Sequence, residues 1–440
     1  MDAGAQSLMN DQRRRLLKWL ATGVGVSAIS AFAGNGRSEP GRRTRVVVIG
    51  GGFAGATFAR TLHQLDESIH IVLIEPNRFY HCCPLGAEFL VGKRSEQSLM
   101  FDYDKLARSG IEVVHEHALS INAQARQVST RSGRIFGYDR CVVATGIGFR
   151  HHTIAGYDAA AAEIFPHAWA GGGQLRLLGR QLAEMRNGGT VLIAAPPDDY
   201  RCPPGPYERA SLIAEYLMRH KPASQLIVLD AKHRFAKQAQ FELAWKRLYG
   251  YGSADSVIRW IGSREGGTVR GVDVAKRRVL TDGGPMEGDV INIIPAQRAD
   301  DFSHRNGLAA DHGWCPVDTQ TLESLQVPGV HVIGDAAYAE RLPKSAFAAT
   351  CQARVCALAI HHQLHGLPLL EPRFMNVCYS LCGDDYGISV FLDYQRDAAS
   401  NILEVETLRV TPLEASREDY RREAMSAYSM FDSMVEEAFG

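Results

Sequence analysis

The chain has 440 residues, 45% of them apolar and 22% charged, and a formal net charge of −1. That length and apolar content bury a core large enough for two or three domains and exclude a disordered or fibrous chain, while the near-zero charge supplies no field to hold nucleic acid, which is not expected as a partner. Nine cysteines are too few for a disulfide scaffold, and their odd number leaves at least one bonded to something other than cysteine, or unbonded.

Residues 1–40 read as an address and a linker. Gln12-Arg13-Arg14-Arg15-Leu16-Leu17-Lys18 resembles a twin-arginine export signal, a weakly apolar run follows from Trp19 to Ala33, and Ala31-Phe32-Ala33 has the small-x-small form of a cleavage site. The run falls short of the ~20 residues that span a bilayer. The expectation is a protein exported already folded to the periplasm, with no stable membrane insertion.

From Arg45 the pattern becomes structural. Val46, Val47, Val48 and Ile49 form a buried strand, Gly50, Gly52 and Gly55 follow in GxGxxG spacing around Phe53 and Ala54, and an Ala-rich amphipathic run continues as a helix. A second apolar run, Ile71 to Ile74, ends at Glu75 and Pro76, with Glu75 placed 20 residues after Gly55, where an acid grips a ribose hydroxyl. Strand, glycines, helix, second strand and acid in register predict a dinucleotide site.

A short strand is expected within Ile111 to His117, and YDRCVVATG ends a buried strand at Ala144-Thr145-Gly146. In flavoproteins with two dinucleotide domains such an ATG marks the crossing out of the first domain. The return is HVIGDAA, with Gly334-Asp335 before Pro343-Lys344-Ser345 and a helix over Ala346 to His361. Asp335 would then meet the ribityl or pyrophosphate part of FAD, and the helix would aim its positive end at the flavin. Residues 43–150 and 297–366 are assigned to this FAD-binding domain, with Thr145, Gly146, Gly334, Asp335 and Lys344 among its contacts.

Residues 151–296 begin a second βαβ unit, with a strand over Gly189 to Ala195 and a helix over Glu208 to Arg219. Its turn lacks glycines and runs PPDDYRCPPGPYERAS; the prolines remove the backbone donors and close approach that a pyrophosphate requires, so no nicotinamide site is expected. That stiff loop carries Cys202. Cys141, Cys351 and Cys356 read as small core residues, whereas Cys202 would need a second sulfur for redox work, from Cys378, Cys382 or Cys315. Spacing leaves the three open. The cysteine pairs do not suit a tetrahedral metal, and no metal site is expected.

RCPPGPYERAS (201–211), PHAW (166–169), QFELAWKRLYGYG (240–252), GWCPVD (313–318), VIGDA (332–336), and CYS with YGISV (378–390) together resemble the flavoprotein subunit of flavocytochrome c sulfide dehydrogenase, over about residues 45–440. The resemblance implies an α/β fold of the glutathione-reductase type, with two Rossmann-like domains and a small α+β interface domain over 367–440. It implies FAD held covalently through its 8α-methyl group, on Cys83 by position, with Cys82 an unexpected neighbour. It also implies a redox disulfide of Cys202 and Cys378, Glu208 as the base for sulfide, and a c-type cytochrome partner.

From residue chemistry alone, Glu208 equally suits the first turn of a helix, complementing its dipole. Arg201 is read as a surface charge in preference to an anion guide. There is no CxxCH, so haem is not attached to this chain. The rival readings are a sulfide:quinone reductase, which shares the fold, and a non-catalytic flavoprotein partner of a sulfur-oxidation complex. The last helix carries Ala424, Tyr428, Phe431, Val435 and Phe439 on one face and Asp432, Glu436 and Glu437 off it. Its acidic side argues for packing on the core or a partner over docking to an anionic leaflet.

Overall fold

The computed structural model describes residues 43–440, so the expected export signal lies outside them. Along the chain come β1 (Arg45–Ile49), α1 (Phe53–Leu65), β2 (His70–Ile74), β3 (Glu112–Val114) and β4 (Arg140–Val143), then β5 (Thr190–Ala195), α2 (Gly205–His220), β6 (Gln225–Asp230), α3 (Gln238–Tyr249), β7 (Ile258–Ile261) and β8 (Val290–Ile293). After these follow β9 (Val330–Val332), α4 (Ala346–His365), β10 (Phe374–Gly383), β11 (Tyr386–Asp397), β12 (Ile402–Val410) and α5 (Arg417–Phe439).

The first sheet has the order β9-β4-β1-β2-β3 and every pairing is parallel, with Val46 opposite Ile71 and Arg140, and Val332 opposite Val143. Helices cover parallel sheets on both faces, which is why β1 and β2 are unbroken apolar runs: Val46, Val47 and Val48 have no exposure. Each such side chain contributes roughly 1.5–3 kcal/mol by leaving water. The return of β9 beside β4 is the non-local step. It brings Ile333 N–H to the Val143 carbonyl at 3.0 Å, and so sets Gly334-Asp335 next to Ala144-Thr145-Gly146.

The second sheet, β7-β6-β5-β8, is also parallel. The chain leaves the first domain through residues 147–149 and returns through 297–299, and these two crossings pair antiparallel, Ile147 opposite Ala299. The strands of the two parallel sheets therefore fall on either side of the crossings that ATG marks in the sequence.

The last 70 or so residues, roughly the length of a small α+β unit, form the antiparallel meander β10-β11-β12 with α5 laid across it. A capping box starts α5: Ser416 accepts from the Asp419 amide while Asp419 accepts from the Ser416 amide. Its apolar stripe is used internally, with Ala424, Phe431 and Phe439 buried and Asp432 and Glu436 exposed. Phe439 stacks on Tyr80 and on Phe101, each with ring centres 5.4 Å away, and lies 5.8 Å from Phe53. The C-terminal helix is thereby pinned to the first domain.

Candidate functional site

The carboxyl ends of β1 and β2 and the first turns of α1, α2 and α4 surround a cleft of about 850 Å³. Gly50, Gly52, Phe53, Ala54, Glu75, Pro76, Thr145, Gly146, Gly334 and Asp335 all lie on its wall. Gly50 has φ +98°, and a Cβ there would stand 2.5 Å from the Ala144 carbonyl oxygen. Gly55 lies beneath the wall, where a Cβ would meet the Gly50 carbonyl oxygen at 1.9 Å; it lets α1 close on β1. Gly52 opens α1 with no side chain capping the helix, leaving the first-turn N–H groups and the positive helix end for an anion.

Glu75 is held in place: one carboxylate oxygen accepts from Gly51 N at 2.9 Å, the other from Asn77 N at 2.9 Å and Asn77 Nδ2 at 2.8 Å. Glycine cradle, uncapped helix end and fixed acid fit the pyrophosphate and ribose of FAD. Across the cleft, Ser345 caps α4 by accepting from Ala348 N at 3.0 Å, and the first turn of α4, with Ser345, Ala346 and Phe347, lines the cavity. Lys344 does not. Its ammonium donates to the carbonyls of Asp335 and Ala337, each at 2.9 Å, and sits 3.7 Å from the centre of the Trp314 ring. It ties the GDA turn together from behind, a correction to its expected place among the cofactor contacts.

Cys202 and Cys378 both reach this cleft from different domains. Cys202 adopts φ +59°, a strained state for a residue with a side chain, held by its N–H to the Lys344 carbonyl at 2.7 Å and by Gly205 N donating to its own carbonyl at 2.8 Å. The sulfur lies against the first turn of α2: a Cβ on Gly205 would be 3.0 Å from Cys202 Sγ. Cys378 stands in β10, with Lys237 Nζ 4.0 Å from its sulfur. Lys237 is fixed by bonds to the Cys378 carbonyl at 3.0 Å and Ser380 Oγ at 2.8 Å. Burial pushes both thiols up, while Lys237 pulls each down. All nine cysteines are thiols in this structure. Cys382 and Cys315 are buried and off the cleft wall, so of the three sulfurs that spacing leaves open, the cleft takes Cys378.

Glu208 also lines the cleft, with Oε1 accepting from Leu381 N at 2.8 Å. Burial pushes its carboxyl up to about 7, against the Leu381 hydrogen bond and the Lys237 charge. An acid serving only the dipole would be held ionised; one near neutrality is poised to exchange protons.

Adjacent Cys82 and Cys83 separate cleanly. Cys82 has no exposure and its Sγ faces the Pro84 carbonyl at 3.4 Å. Cys83 is half-buried on the wall, its Sγ 3.6 Å from the Trp169 carbonyl oxygen. Arg201 donates to that same carbonyl and lies 3.9 Å from Asp335. Its side chain is only 20% exposed, which corrects the reading of Arg201 as a surface charge: the partners that bury it come from distant parts of the chain.

Arg209, which sequence reasoning passed over, supports this wall. Its guanidinium donates to the His167 carbonyl at 3.1 Å, the Ala168 carbonyl at 2.5 Å and Asn292 Oδ1 at 2.8 Å, and stacks 4.8 Å over Trp169. Trp169 Nε1 in turn donates to the Arg201 carbonyl at 3.1 Å. The PHAW motif is thus a brace between Cys83 and the Cys202 loop. Lys237 was missed too, and no spacing in the sequence marks it.

The second domain fills its own nucleotide position. Asp230 ends β6, where the matching acid would hold a ribose, but its Oδ1 accepts from Lys232 N at 2.9 Å and Lys232 Nζ at 2.8 Å, and its Oδ2 from Tyr207 OH at 2.6 Å and Trp260 Nε1 at 3.0 Å. Tyr207 stacks on Phe235 at 3.8 Å, and Phe241 and Trp245 continue the cluster. Aromatic rings thus pack around the acid at the end of β6.

Comparison with known proteins adds three family matches: "Pyridine nucleotide-disulphide oxidoreductase" over residues 44–181, "Sulfide dehydrogenase [flavocytochrome c] flavoprotein chain, central" over 175–295, and "Flavocytochrome c sulphide dehydrogenase, flavin-binding" over 370–439. A sulfide dehydrogenase [flavocytochrome c] flavoprotein chain from Chlorobaculum thiosulfatiphilum is 52% identical over 42 residues, 10% of this chain and 88% of that protein. A sulfide-quinone reductase from Aquifex aeolicus is 34% identical over 102 residues, 23% of this chain and 24% of that protein; the match spans about a quarter of that relative's length. The structure of the sulfide:quinone oxidoreductase of Aquifex aeolicus superposes with a TM-score of 0.68 at 18% identity, covering 90% of this chain and 92% of that one, a likeness of fold.

Proposed function

This chain belongs to the family of flavocytochrome c sulfide dehydrogenase flavoprotein chains, and from that membership we propose that it is an FAD-dependent sulfide dehydrogenase working through a Cys202–Cys378 disulfide, with a c-type cytochrome as electron acceptor. The observation that carries the reading is the convergence of two thiols and a near-neutral acid, from separate domains, on the wall of the nucleotide cleft.

In the oxidised enzyme Cys202 and Cys378 are joined. Hydrosulfide attacks one sulfur; a new S–S bond forms, the Cys–Cys bond breaks, and the other cysteine leaves as a thiolate. The disulfide is reduced by two electrons and the hydrosulfide sulfur is oxidised to the persulfide. Glu208 takes the proton, its carboxyl lying near 7 because of burial. Lys237, 4.0 Å from Cys378 Sγ, stabilises negative charge on that sulfur. FAD, when bound, supplies two-electron acceptance from a thiolate and one-electron delivery to a haem. Gly50, Gly52, Glu75, Thr145, Gly146, Gly334 and Asp335 would hold it, and Cys83, the half-buried member of its pair, would be the tether to its 8α-methyl carbon.

Cys202→Ser and Cys378→Ser should each abolish sulfide-dependent cytochrome c reduction while FAD stays bound. Full activity in either variant would refute the disulfide, and faster reduction of a short-chain quinone than of cytochrome c would move the assignment to a quinone reductase. Export to the periplasm through Arg13-Arg14 is part of the proposal; periplasmic recovery of an Arg13→Lys, Arg14→Lys double variant at the wild-type level would refute it. No helix among the described residues is long and apolar enough to cross a membrane.

A further inference from the structure

The C-terminal ends of α1 and α4 pack side by side, and Asp66, His361 and His365 there do not line the cleft. Asp66 is the last cap of α1, and His361 and His365 stand one turn apart at the end of α4. Each offers one ligand atom, and the three atoms lie within 4.8 Å of one another. Residues four apart on a helix share a face, and the two imidazoles show it, with ring centres 4.6 Å apart. His365 Nε2 already meets Asp66 Oδ2 at 2.9 Å, and Asp66 is steadied from its other oxygen by Ser68 N at 2.8 Å.

We propose that Asp66, His361 and His365 form a binding site for a divalent first-row transition cation such as Zn²⁺, with water completing the coordination.

Two imidazoles and one carboxylate are a donor set for zinc, with bonds of about 2.0–2.2 Å. Those bonds place tetrahedral donors about 3.4 Å apart, so small side-chain rotations close the present spacing. The cation replaces the proton now shared between His365 and Asp66. The chain helps in one further way. Both helices end here, and their carbonyl ends place partial negative charge at the cluster. His362 is occupied elsewhere, its Nδ1 2.5 Å from the Pro368 carbonyl oxygen. The cysteine spacings that decide against a metal in the sequence do not bear on this cluster, because helix packing, not spacing, brings Asp66 to the two histidines. A cation here would staple α1, which carries the glycine cradle at its other end, to α4, whose first turn lines the same cleft.

The test is calorimetric titration of chelator-treated, FAD-loaded full-length protein with ZnCl₂, followed by thermal unfolding with and without the metal. One equivalent should bind, and His361→Gln, His365→Gln and Asp66→Asn should each weaken binding by at least about tenfold. Zinc should raise the unfolding temperature of the wild type and not that of the H361Q/H365Q double variant. A single cooperative thermal transition of that variant without metal reports that it is folded. Absence of binding to the wild type, or equal binding to wild type and double variant, would overturn the proposal.

Discussion

Replacing Glu208 by Gln separates the acid's charge from its hydrogen bond, because a glutamine oxygen still accepts from the Leu381 amide that Oε1 now meets at 2.8 Å. With its carboxyl pushed to about 7, Glu208 is half ionised near neutrality, the balance of ionised fraction and proton affinity that favours a base. Loss of a positioned base costs on the order of 10²–10⁴-fold in kcat/KM. The assay is sulfide-dependent cytochrome c reduction by the FAD-loaded enzyme across neutral pH. Wild type should gain rate as pH rises through about 7; E208Q should be slow and keep only the limb set by ionisation of sulfide itself. The same burial has a stability signature. The folded carboxyl lies above its ordinary value of 4.5, so between 4.5 and about 7 the folded chain holds a proton that the unfolded chain releases. Stability therefore falls as pH rises through that window, by up to ~3 kcal/mol. E208Q has no charge to bury and should be at least as stable as wild type on the alkaline side. Wild-type kcat/KM in E208Q there would refute the base, and an unfolded E208Q would refute the burial argument.

Three further substitutions test the cysteines, their charge partner and the C-terminal anchor. Cys83→Ala should release the flavin into the supernatant on acid precipitation, whereas Cys82→Ala should keep the colour on the polypeptide; the reverse pattern would move the tether to Cys82. Lys237→Met should raise the thiol pKa of Cys378, read from the pH dependence of alkylation in the reduced enzyme, and lower kcat for sulfide; an unchanged alkylation profile would show that the ammonium at 4.0 Å does not act on that sulfur. Phe439→Ala should cost ~3–5 kcal/mol in urea unfolding, because the ring is buried among Phe53, Tyr80 and Phe101; a loss under ~1 kcal/mol would show that the end of α5 is not anchored there.

What could be read along the chain was whatever depends on neighbours in sequence. Val46–Ile49 and Ile71–Ile74 declare themselves because both faces of a parallel strand are apolar, and Gly50 and Gly55 because only glycine tolerates the contacts that the turn imposes. Cys202 was legible as an unusual cysteine, since prolines flank it, but its partner was supplied by family resemblance and not by chemistry along the chain. Arg201 was misread because its burial depends on Asp335 and on the Trp169 carbonyl, both contributed from far away. Lys344 was misplaced for the opposite reason: GDA and PKS are close in sequence, yet the ammonium turns to the backbone carbonyls of Asp335 and Ala337 in the GDA turn. Lys237 and the Asp66 cluster follow from helix packing, which periodicity does not encode.

The ring cluster around Asp230 sets a limit on redesign. Restoring glycines to the loop before α2 would return backbone donors to a pyrophosphate, yet the acid at the end of β6 would still be saturated by Lys232, Tyr207 and Trp260, with Phe235 stacked on Tyr207 beside it. Clearing that space means removing rings whose loss costs roughly 3–5 kcal/mol each, against a total domain stability of about 5–15 kcal/mol. Conversion of this scaffold to a nicotinamide-linked enzyme would therefore take several destabilising ring removals together with the new glycines, a large share of the stability the fold has.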